Sequence, residues 1–233
     1  MIKNFLLTFI LILLGFNIIF AQDSLHKKIS PFEFTTDIVS SFVWRGIQIS
    51  NLPNIQPQLI FTKGNFKLGC WGSQSINGDY SELDINATYN KGLFSFTVSD
   101  YFVFTDTPNE SYFEYSKKNT DHSYEGNITY SGTEKFPLSI SASTFFYGND
   151  VDTSGNNYYS TYVEATYPLK YFDIILGATP AKGLYANGYG IVNTGLKVYH
   201  DIKITDHFSI PVCFSIMVNP YAERVFVAVG FTL

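Results

Sequence analysis

Charged residues are scarce in this 233-residue chain. Asp, Glu, Lys and Arg together make up 15% of it, against about 25% in ordinary soluble domains. The net charge of -5 lacks the basic excess on which nucleic-acid binding depends, so no nucleic-acid partner is expected. The two cysteines cannot supply a disulfide framework or a Cys-rich zinc site. Neither device is therefore expected to hold a small core together.

Aromatic residues are abundant, with 22 Phe, 17 Tyr and 2 Trp. Low charge combined with many aromatic and β-branched side chains argues against an intrinsically disordered chain and against a coiled coil. The length suits one large β domain or two small ones.

The first 21 residues differ from the rest. Lys3 precedes an apolar run over residues 5–20, and the small residue Ala21 stands directly before the polar Gln22. This pattern predicts a secretory signal peptide over 1–21 and a mature domain over 22–233. A membrane-anchoring helix is the alternative, although the run falls just short of the roughly 20 residues that a span requires.

The mature sequence alternates apolar and polar residues with a period of two. Every second residue from Val225 to Leu233 is apolar, and Ile85 lies between Asp84 and Asn86. Such alternation is typical of β-strands with one apolar face and one wet face. We predict twelve strands, over 32–45, 55–62, 66–73, 82–89, 94–104, 123–130, 138–147, 158–167, 172–179, 191–199, 208–218 and 225–233.

The predicted connections alternate in length. Short turns at 63–65, 90–93, 131–135, 168–171 and around 206–207 alternate with long polar loops at 46–54, 74–80, 105–122, 148–157 and 180–190. Short turns at one end and long loops at the other are typical of outer-membrane barrels. The sequence therefore predicts an all-β, antiparallel transmembrane β-barrel of the bacterial outer membrane, with about twelve strands. The connection at 219–223 is an exception, because it is short where a long one is expected.

A few residues conflict with this register. Pro57 and Pro211 fall inside predicted strands, and a closed barrel has no free edge for a missing N–H, so we expect bulges or strand ends there. Asp100 falls on an apolar face, which predicts a position at the rim or a bulge that resets the phase. The run 202–205 can extend the tenth strand past a bulge near 200–201. Ten or fourteen strands are the alternatives to twelve.

Aromatic residues on the apolar faces bracket the short turns. Because aromatic rings gather at the headgroup level of membranes, we predict a membrane-interface girdle at this end of the barrel. Its members are Phe34, Phe61, Phe66, Tyr89, Phe94, Tyr130, Phe136, Tyr167, Phe172 and Phe231. Trp44, Phe102, Phe104 and Phe146 are expected to begin the opposite girdle. The alternative is a soluble sandwich whose aromatic residues fill its core.

The wet faces carry more acidic than basic residues. The predicted lumen residues are Glu33, Asp37, Glu82, Asp84, Glu125, Glu164 and Asp173, against Arg45, Lys67, Lys197 and Arg224. A barrel of about twelve strands encloses more space than side chains readily fill, so this balance predicts a narrow porin-like diffusion channel that favours cations. The alternative is that these charges pair across the lumen and close it. The chain would then be a non-conducting surface barrel with a structural, adhesive or ligand-binding role through loops that carry Tyr112, Tyr115, Tyr158 and Tyr185.

Several short motifs resemble an outer-membrane family. The segment Phe42 to Ile47, FVWRGI, followed by Pro53 to Pro57, PNIQP, resembles the opening of the Gcw_chp or TorF-like porins, a family without an established substrate. Further matches resemble its Bacteroidetes branch, namely GND at 148–150, YSTYVE at 159–164, TP at 179–180, ITD at 204–206 and NP at 219–220 before a GF ending at 230–231. The resemblance covers most of the mature chain and implies an outer-membrane barrel of a Gram-negative bacterium. It supplies no catalytic residues.

Motifs for catalysis are lacking. The sequence has no G-x-S-x-G, H-E-x-x-H, C-x-x-C or phosphate-binding glycine loop. The four histidines, His26, His122, His200 and His207, are predicted to lie in the N-terminal stretch, in a loop and near a turn. We expect no enzymatic activity, no cofactor and no metal, with outer-membrane lipids, the barrel-insertion machinery and small solutes or ions as partners. A lipid-modifying enzyme, which would need a Ser/His or His/Asp grouping, is a remote alternative.

Overall fold

The computed structural model describes residues 30–105, 107, 110–117 and 119–233. The chain divides into a unit of Met1–Pro31 and a unit of Phe32–Leu233. The predicted signal peptide and its cleavage site lie outside the described residues. No helix in the described part of the chain is long and apolar enough to cross a membrane.

The second unit is built from β-strands joined by turns and loops. Their bounds are β1 Phe32–Val39, β2 Phe42–Trp44, β3 Ile47–Ser50, β4 Asn54–Lys63, β5 Phe66–Ser75, β6 Ser81–Lys91, β7 Phe94–Phe104, β8 His122–Tyr130, β9 Ser139–Gly148, β10 Thr161–Pro168, β11 Asp173–Thr179, β12 Gly190–Thr205, β13 Phe208–Asn219 and β14 Arg224–Thr232.

Twelve of these strands form one closed antiparallel barrel in the order β1-β14-β13-β12-β11-β10-β9-β8-β7-β6-β5-β4. The predicted fold class and strand number are confirmed. Each wall strand pairs with the next wall strand along the chain, including β1 with β4, and β14 closes the ring by pairing with β1. The β1–β14 seam is the shortest ladder, since its register pairs run only from Val39↔Gly230 to Asp37↔Thr232.

Alternation along each strand separates two faces of the barrel wall. Large apolar side chains such as Leu68, Ile85, Val98, Ile128 and Val227 are exposed on the outside. Soluble monomers rarely expose contiguous apolar surface on this scale, whereas outer-membrane barrels carry an apolar outer band. The neighbouring residues in each strand, many of them polar, face the interior.

The first predicted strand, 32–45, is wrong in its second half. The wall strand β1 ends at Val39, and β2 and β3 pair only with each other in a separate two-stranded sheet. The predicted loop over 46–54 therefore contains a strand. This hairpin, Phe42–Ser50, is hereafter called the lumen hairpin.

The two prolines lie in mid-strand rather than at bulges. Pro57 pairs with Thr36 on β1, while the ladder from β4 to β5 skips Gln56 and Pro57 and then resumes in the same register. Pro211 pairs with Asp201 on β12, and the ladder to β14 begins only at Val212. Each proline thus sits where one neighbouring ladder is interrupted or has ended, so that no pairing requires its missing N–H. The tenth predicted strand extends to Thr205, as the run 202–205 suggested, but the register shift lies between Lys203 and Thr205 rather than near 200–201.

We expect Ile85→Arg to destabilise the barrel by about 2 to 4 kcal/mol if Ile85 lies near the membrane midplane. Ile85 is 41% exposed on the outer face, so the new charge would enter the apolar band. Asn86→Arg is the matched control, because the next residue faces the interior and should cost much less. Urea unfolding of both variants in lipid vesicles measures the difference. Equal losses would contradict the assigned faces.

Candidate functional site inside the barrel

The turn of the lumen hairpin has an unusual backbone. Trp44 pairs with Ile47, so that Arg45 and Gly46 form a two-residue turn. Both have positive φ angles, 48° at Arg45 and 76° at Gly46, as in type I′ turns. A Cβ atom on Gly46 would lie 1.9 Å from the carbonyl oxygen of Val192 on β12. Glycine is therefore required both by the φ angle and by the close approach to the wall.

The hairpin spans the lumen. On one side, the Trp44 ring lies 6.0 Å from that of Tyr101 on β7. On the other side, Asn219 Nδ2 on β13 donates a hydrogen bond of 3.0 Å to the carbonyl oxygen of Gly46. In the closed ring of strands, β7 and β13 lie on opposite walls. The turn thus bridges the barrel interior from wall to wall.

Arg45 is the centre of a polar cluster at this turn. Its guanidinium makes a bidentate pair with the carboxylate of Glu125 on β8, with Nη1–Oε1 at 2.5 Å and Nη2–Oε2 at 2.8 Å. Nη1 also donates to the Tyr185 hydroxyl and Nη2 to Ser143 Oγ. The guanidinium lies 4.4 Å from the centroid of the Trp44 ring. Charge pairing, hydrogen bonding and cation–π contact together fix the tip of the hairpin.

Aromatic side chains fill the interior around this cluster. Phe145 and Tyr162 on the wall and Tyr185 in the loop after β11 are buried together, and Trp44 and Tyr101 pack against them. Burial raises the pKa of the Tyr185 phenol, which keeps it neutral as an acceptor for Arg45. Tyr185 was expected to lie in a loop with a binding or adhesive role, and it does lie in a loop but is buried in the interior. Trp44 was expected to begin the girdle opposite the short turns, and this prediction is wrong because Trp44 packs inside the barrel. Together with the hairpin, these rings occupy the loop end of the lumen.

A cavity of about 570 Å³ remains next to the hairpin. Its lining includes Asp37 on β1, Glu164 on β10, Asn193 and Lys197 on β12, and the hairpin residue Trp44. Tyr162 donates to Glu164 Oε2 at 2.5 Å, and Asn193 Nδ2 donates to the same oxygen at 3.3 Å. Asp37 Oδ1 accepts a hydrogen bond of 2.6 Å from Thr232. Charged groups of opposite sign therefore line the same cavity.

The other predicted lumen residues lie elsewhere along the wall. Tyr80 donates to Glu82 at 2.5 Å, and the neighbouring Asp84 is buried with no hydrogen-bond partner for Oδ1 among the described residues. Asp173 is the cross-strand neighbour of Lys197. Lys67 pairs with Thr62 and Thr88, Glu33 with Ile60, and Arg224 with Asn219. The structure thus brings Arg45 and Glu125 into contact, and it places Asp37, Arg45, Glu164 and Lys197 around the cavity.

The predicted girdle residues form ring pairs across neighbouring strands at the short-turn end. Phe66 and Tyr89 have ring centroids 4.8 Å apart, and Phe94 and Tyr130 5.4 Å. Phe136 packs against Tyr167. Phe61 packs against Phe32, which is not among the predicted girdle residues. Phe34 is exposed on β1, the strand that also carries Phe32. Phe172 and Phe231 are half-buried.

A polar pair, Asp100 and His122, lies on the outer wall at the position where Asp100 conflicted with the predicted apolar face. Asp100 stays on the apolar face without a bulge, and its Oδ1 lies 2.7 Å from Nδ1 of His122. His122 is fully buried at the start of β8 rather than in a loop, and its Nε2 contacts the carbonyl oxygen of Tyr112 at 2.7 Å. The loop after β7 therefore folds over the outer wall. Both ring nitrogens of His122 are occupied by these contacts.

No family model matches the chain, and no curated protein matches it. Among solved structures, a mutant of the Rh. blastica porin is similar, with a TM-score of 0.39 and 9% sequence identity over 77% of this chain and 55% of that chain. This chain thus covers little more than half the length of that porin. Among the described residues, no group of three or more His, Cys, Asp or Glu side chains could hold a metal ion.

Proposed function

We propose that this chain is an outer-membrane barrel of the TorF-like porin type that acts as a narrow, cation-favouring diffusion channel. The apolar outer wall, the short turns at one end and the long loops at the other support insertion into the outer membrane. Export through a signal peptide over 1–21 and insertion by the barrel machinery belong to the same proposal, with lipids and small solutes or ions as partners.

The observation that carries the proposal is the lumen hairpin with the cavity beside it. The hairpin narrows the interior at one level, and about 570 Å³ stay open next to it. Arg45 neutralises Glu125. Among the described residues, none of the carboxylates that line the cavity, Asp37, Glu164 and Asp201, forms an ion pair. Excess carboxylate in a confined path raises the local concentration of cations.

Purified protein in a planar bilayer should conduct and should prefer K⁺ over Cl⁻. Asp37→Asn with Glu164→Gln should move the reversal potential toward zero, because these changes remove charge from the cavity lining and keep side-chain volume. Glu134→Gln, in an exposed short turn, is the matched control and should change nothing. The preference should weaken in 1 M salt, where the Debye length falls to about 3 Å. A preference for Cl⁻ would contradict the proposal.

A non-conducting barrel with a binding role is the second candidate. The contacts of Arg45 with Glu125 and Tyr185, and the aromatic packing around Trp44, favour closure at the loop end. The same bilayer measurement separates the two candidates. Folded protein that never conducts would favour the closed barrel.

A further inference from the structure

The cavity beside the lumen hairpin has the size and composition of a small-molecule site. Its volume of about 570 Å³ lies within the range of roughly 300 to 1,000 Å³ that is typical of such sites. The lining mixes apolar side chains, among them Val39, Ile175 and Met217, with a few polar ones. It is formed by wall strands on one side and by the hairpin on the other.

Carboxylates outnumber lysine and arginine side chains in the lining of this cavity. Asp37, Glu164 and Asp201 contribute carboxylates, and Lys197 and Arg45 contribute cations. Arg45 is already committed to Glu125, which does not line the cavity. Lys197 is then the one lysine or arginine of this lining that is left to offset the three carboxylates. Among the described residues, Lys197 forms no ion pair.

Two features favour a cation with an apolar part. Among the described residues, the side chains that donate hydrogen bonds to Asp37 and Glu164 are neutral, namely Thr232 for Asp37 and Tyr162, Thr166 and Asn193 for Glu164. Neutral donors leave the negative charge uncompensated, so an ammonium group would gain a charge-assisted hydrogen bond. The rings of Trp44 and Tyr162 also line the cavity and can contact a hydrocarbon chain or a cation.

We propose that this cavity binds small organic cations, in particular primary amines on a short apolar chain, whose ammonium group pairs with the carboxylate of Asp37 or with that of Glu164. This inference rests on the proposed channel function, because it treats the cavity as part of the path that solutes take. Organic cations are then the class of solute that uses this path. Binding itself can be measured without conduction.

The test uses tryptophan emission from the folded barrel in detergent. The chain has two tryptophans, so Trp71→Phe leaves Trp44, which lines the cavity, as the only one. The probes are butylamine, butanol and butyrate, which share a four-carbon chain and differ in charge. Butylamine should cause a saturable change in emission, butanol a weaker one and butyrate none. Isothermal titration calorimetry on the same protein checks binding independently of Trp44.

Two variants assign the binding to this cavity. Asp37→Asn or Glu164→Gln, whichever removes the carboxylate that holds the ammonium group, should weaken butylamine binding by about tenfold, the worth of one hydrogen bond to a charged group. They lie on different wall strands, so a folding defect in one leaves the other informative, and heat-modifiable gel mobility checks folding. Glu33→Gln is the matched control, since it removes a carboxylate from β1 outside the cavity lining.

The inference is overturned if no probe binds, if butyrate binds as well as butylamine, or if both cavity variants retain full affinity for butylamine. Conductance without amine binding would leave the channel proposal standing and refute this inference. Amine binding in a barrel that never conducts would support the cavity as a binding site and refute the channel.

Discussion

Arg45→Met should destabilise the folded barrel by about 3 to 5 kcal/mol, because it leaves the buried carboxylate of Glu125 without its partner. The pair is bidentate, and the side chain of Glu125 is only 2% exposed. The variant should also raise single-channel conductance, since the guanidinium fixes the turn of the hairpin against the wall. Urea unfolding in vesicles and planar-bilayer recording measure the two effects.

A double-mutant cycle separates the ion pair from the loss of side-chain packing. Arg45→Met combined with Glu125→Gln should be less destabilised than the sum of the single variants, because the double variant buries no unpaired charge. Arg224→Met is the matched control, since Arg224 is exposed and takes no part in the recorded ion pairs. If Arg45→Met matched this control in both stability and conductance, Arg45 would not hold the hairpin in place.

The positive φ angle of Arg45 means that the backbone of the hairpin turn also depends on the contacts of this residue. A non-glycine residue at φ 48° carries a conformational cost of order 1 to 3 kcal/mol that surrounding contacts must offset. Those contacts come from β8, β9 and the loop after β11, through Glu125, Ser143 and Tyr185. The geometry of the turn therefore depends on the closed barrel around it.

The wall of the barrel could be predicted from the sequence because its signal is local. Each residue of a wall strand faces either the outer apolar environment or the interior. The alternation of apolar and polar residues along the strand therefore shows which face each residue lies on, as at Ile85 and Asn86. Turn length is equally local, since Gly64-Asn65 closes one end between β4 and β5. Strand number and faces follow from such signals without knowledge of long-range contacts.

The lumen hairpin could not be predicted in the same way. Residues 42–45, Phe-Val-Trp-Arg, are mostly of the aromatic and β-branched types that favour strands, and the Arg45-Gly46 turn lacks the usual Asn-Gly or Asp-Gly signature. What places the hairpin inside is a set of contacts with residues 80 to 173 positions away, such as Glu125 and Asn219. A usable clue was present at Tyr101, Phe145 and Tyr162. These aromatic residues occupy interior-facing positions that polar side chains would otherwise fill.

Asp100 shows how a local conflict marks a tertiary contact. Its position on an apolar face was visible in the sequence, and a carboxylate there requires a polar partner. The partner is His122, which lies 22 positions away and is covered by the loop that carries Tyr112. The conflict could locate the site, but only the barrel pairing could identify the second residue.

Removing Gly230 to Leu233 should abolish the folded barrel. All register pairs of the β1–β14 seam involve Gly230, Phe231 and Thr232, and Leu233 adds two backbone hydrogen bonds with Thr36. The truncation would leave β1 and β14 as open edges, which are not tolerated in the apolar region of a membrane. The expected result is loss of heat-modifiable gel mobility and of outer-membrane yield.

Deleting residues 153–156 is the matched control, because it removes the same number of residues from an exposed loop between β9 and β10. That variant should retain the mobility shift. A finer test is Gly230→Val, since even a Cβ at this position would lie 2.8 Å from Cγ1 of Val39 and 3.0 Å from the carbonyl oxygen of Ile38. A side chain at this position would require β1 and β14 to move apart, so the substitution should weaken the seam and destabilise the barrel while leaving the other ladders intact. Full stability of Gly230→Val together with normal assembly of the truncated chain would show that the barrel does not depend on this seam.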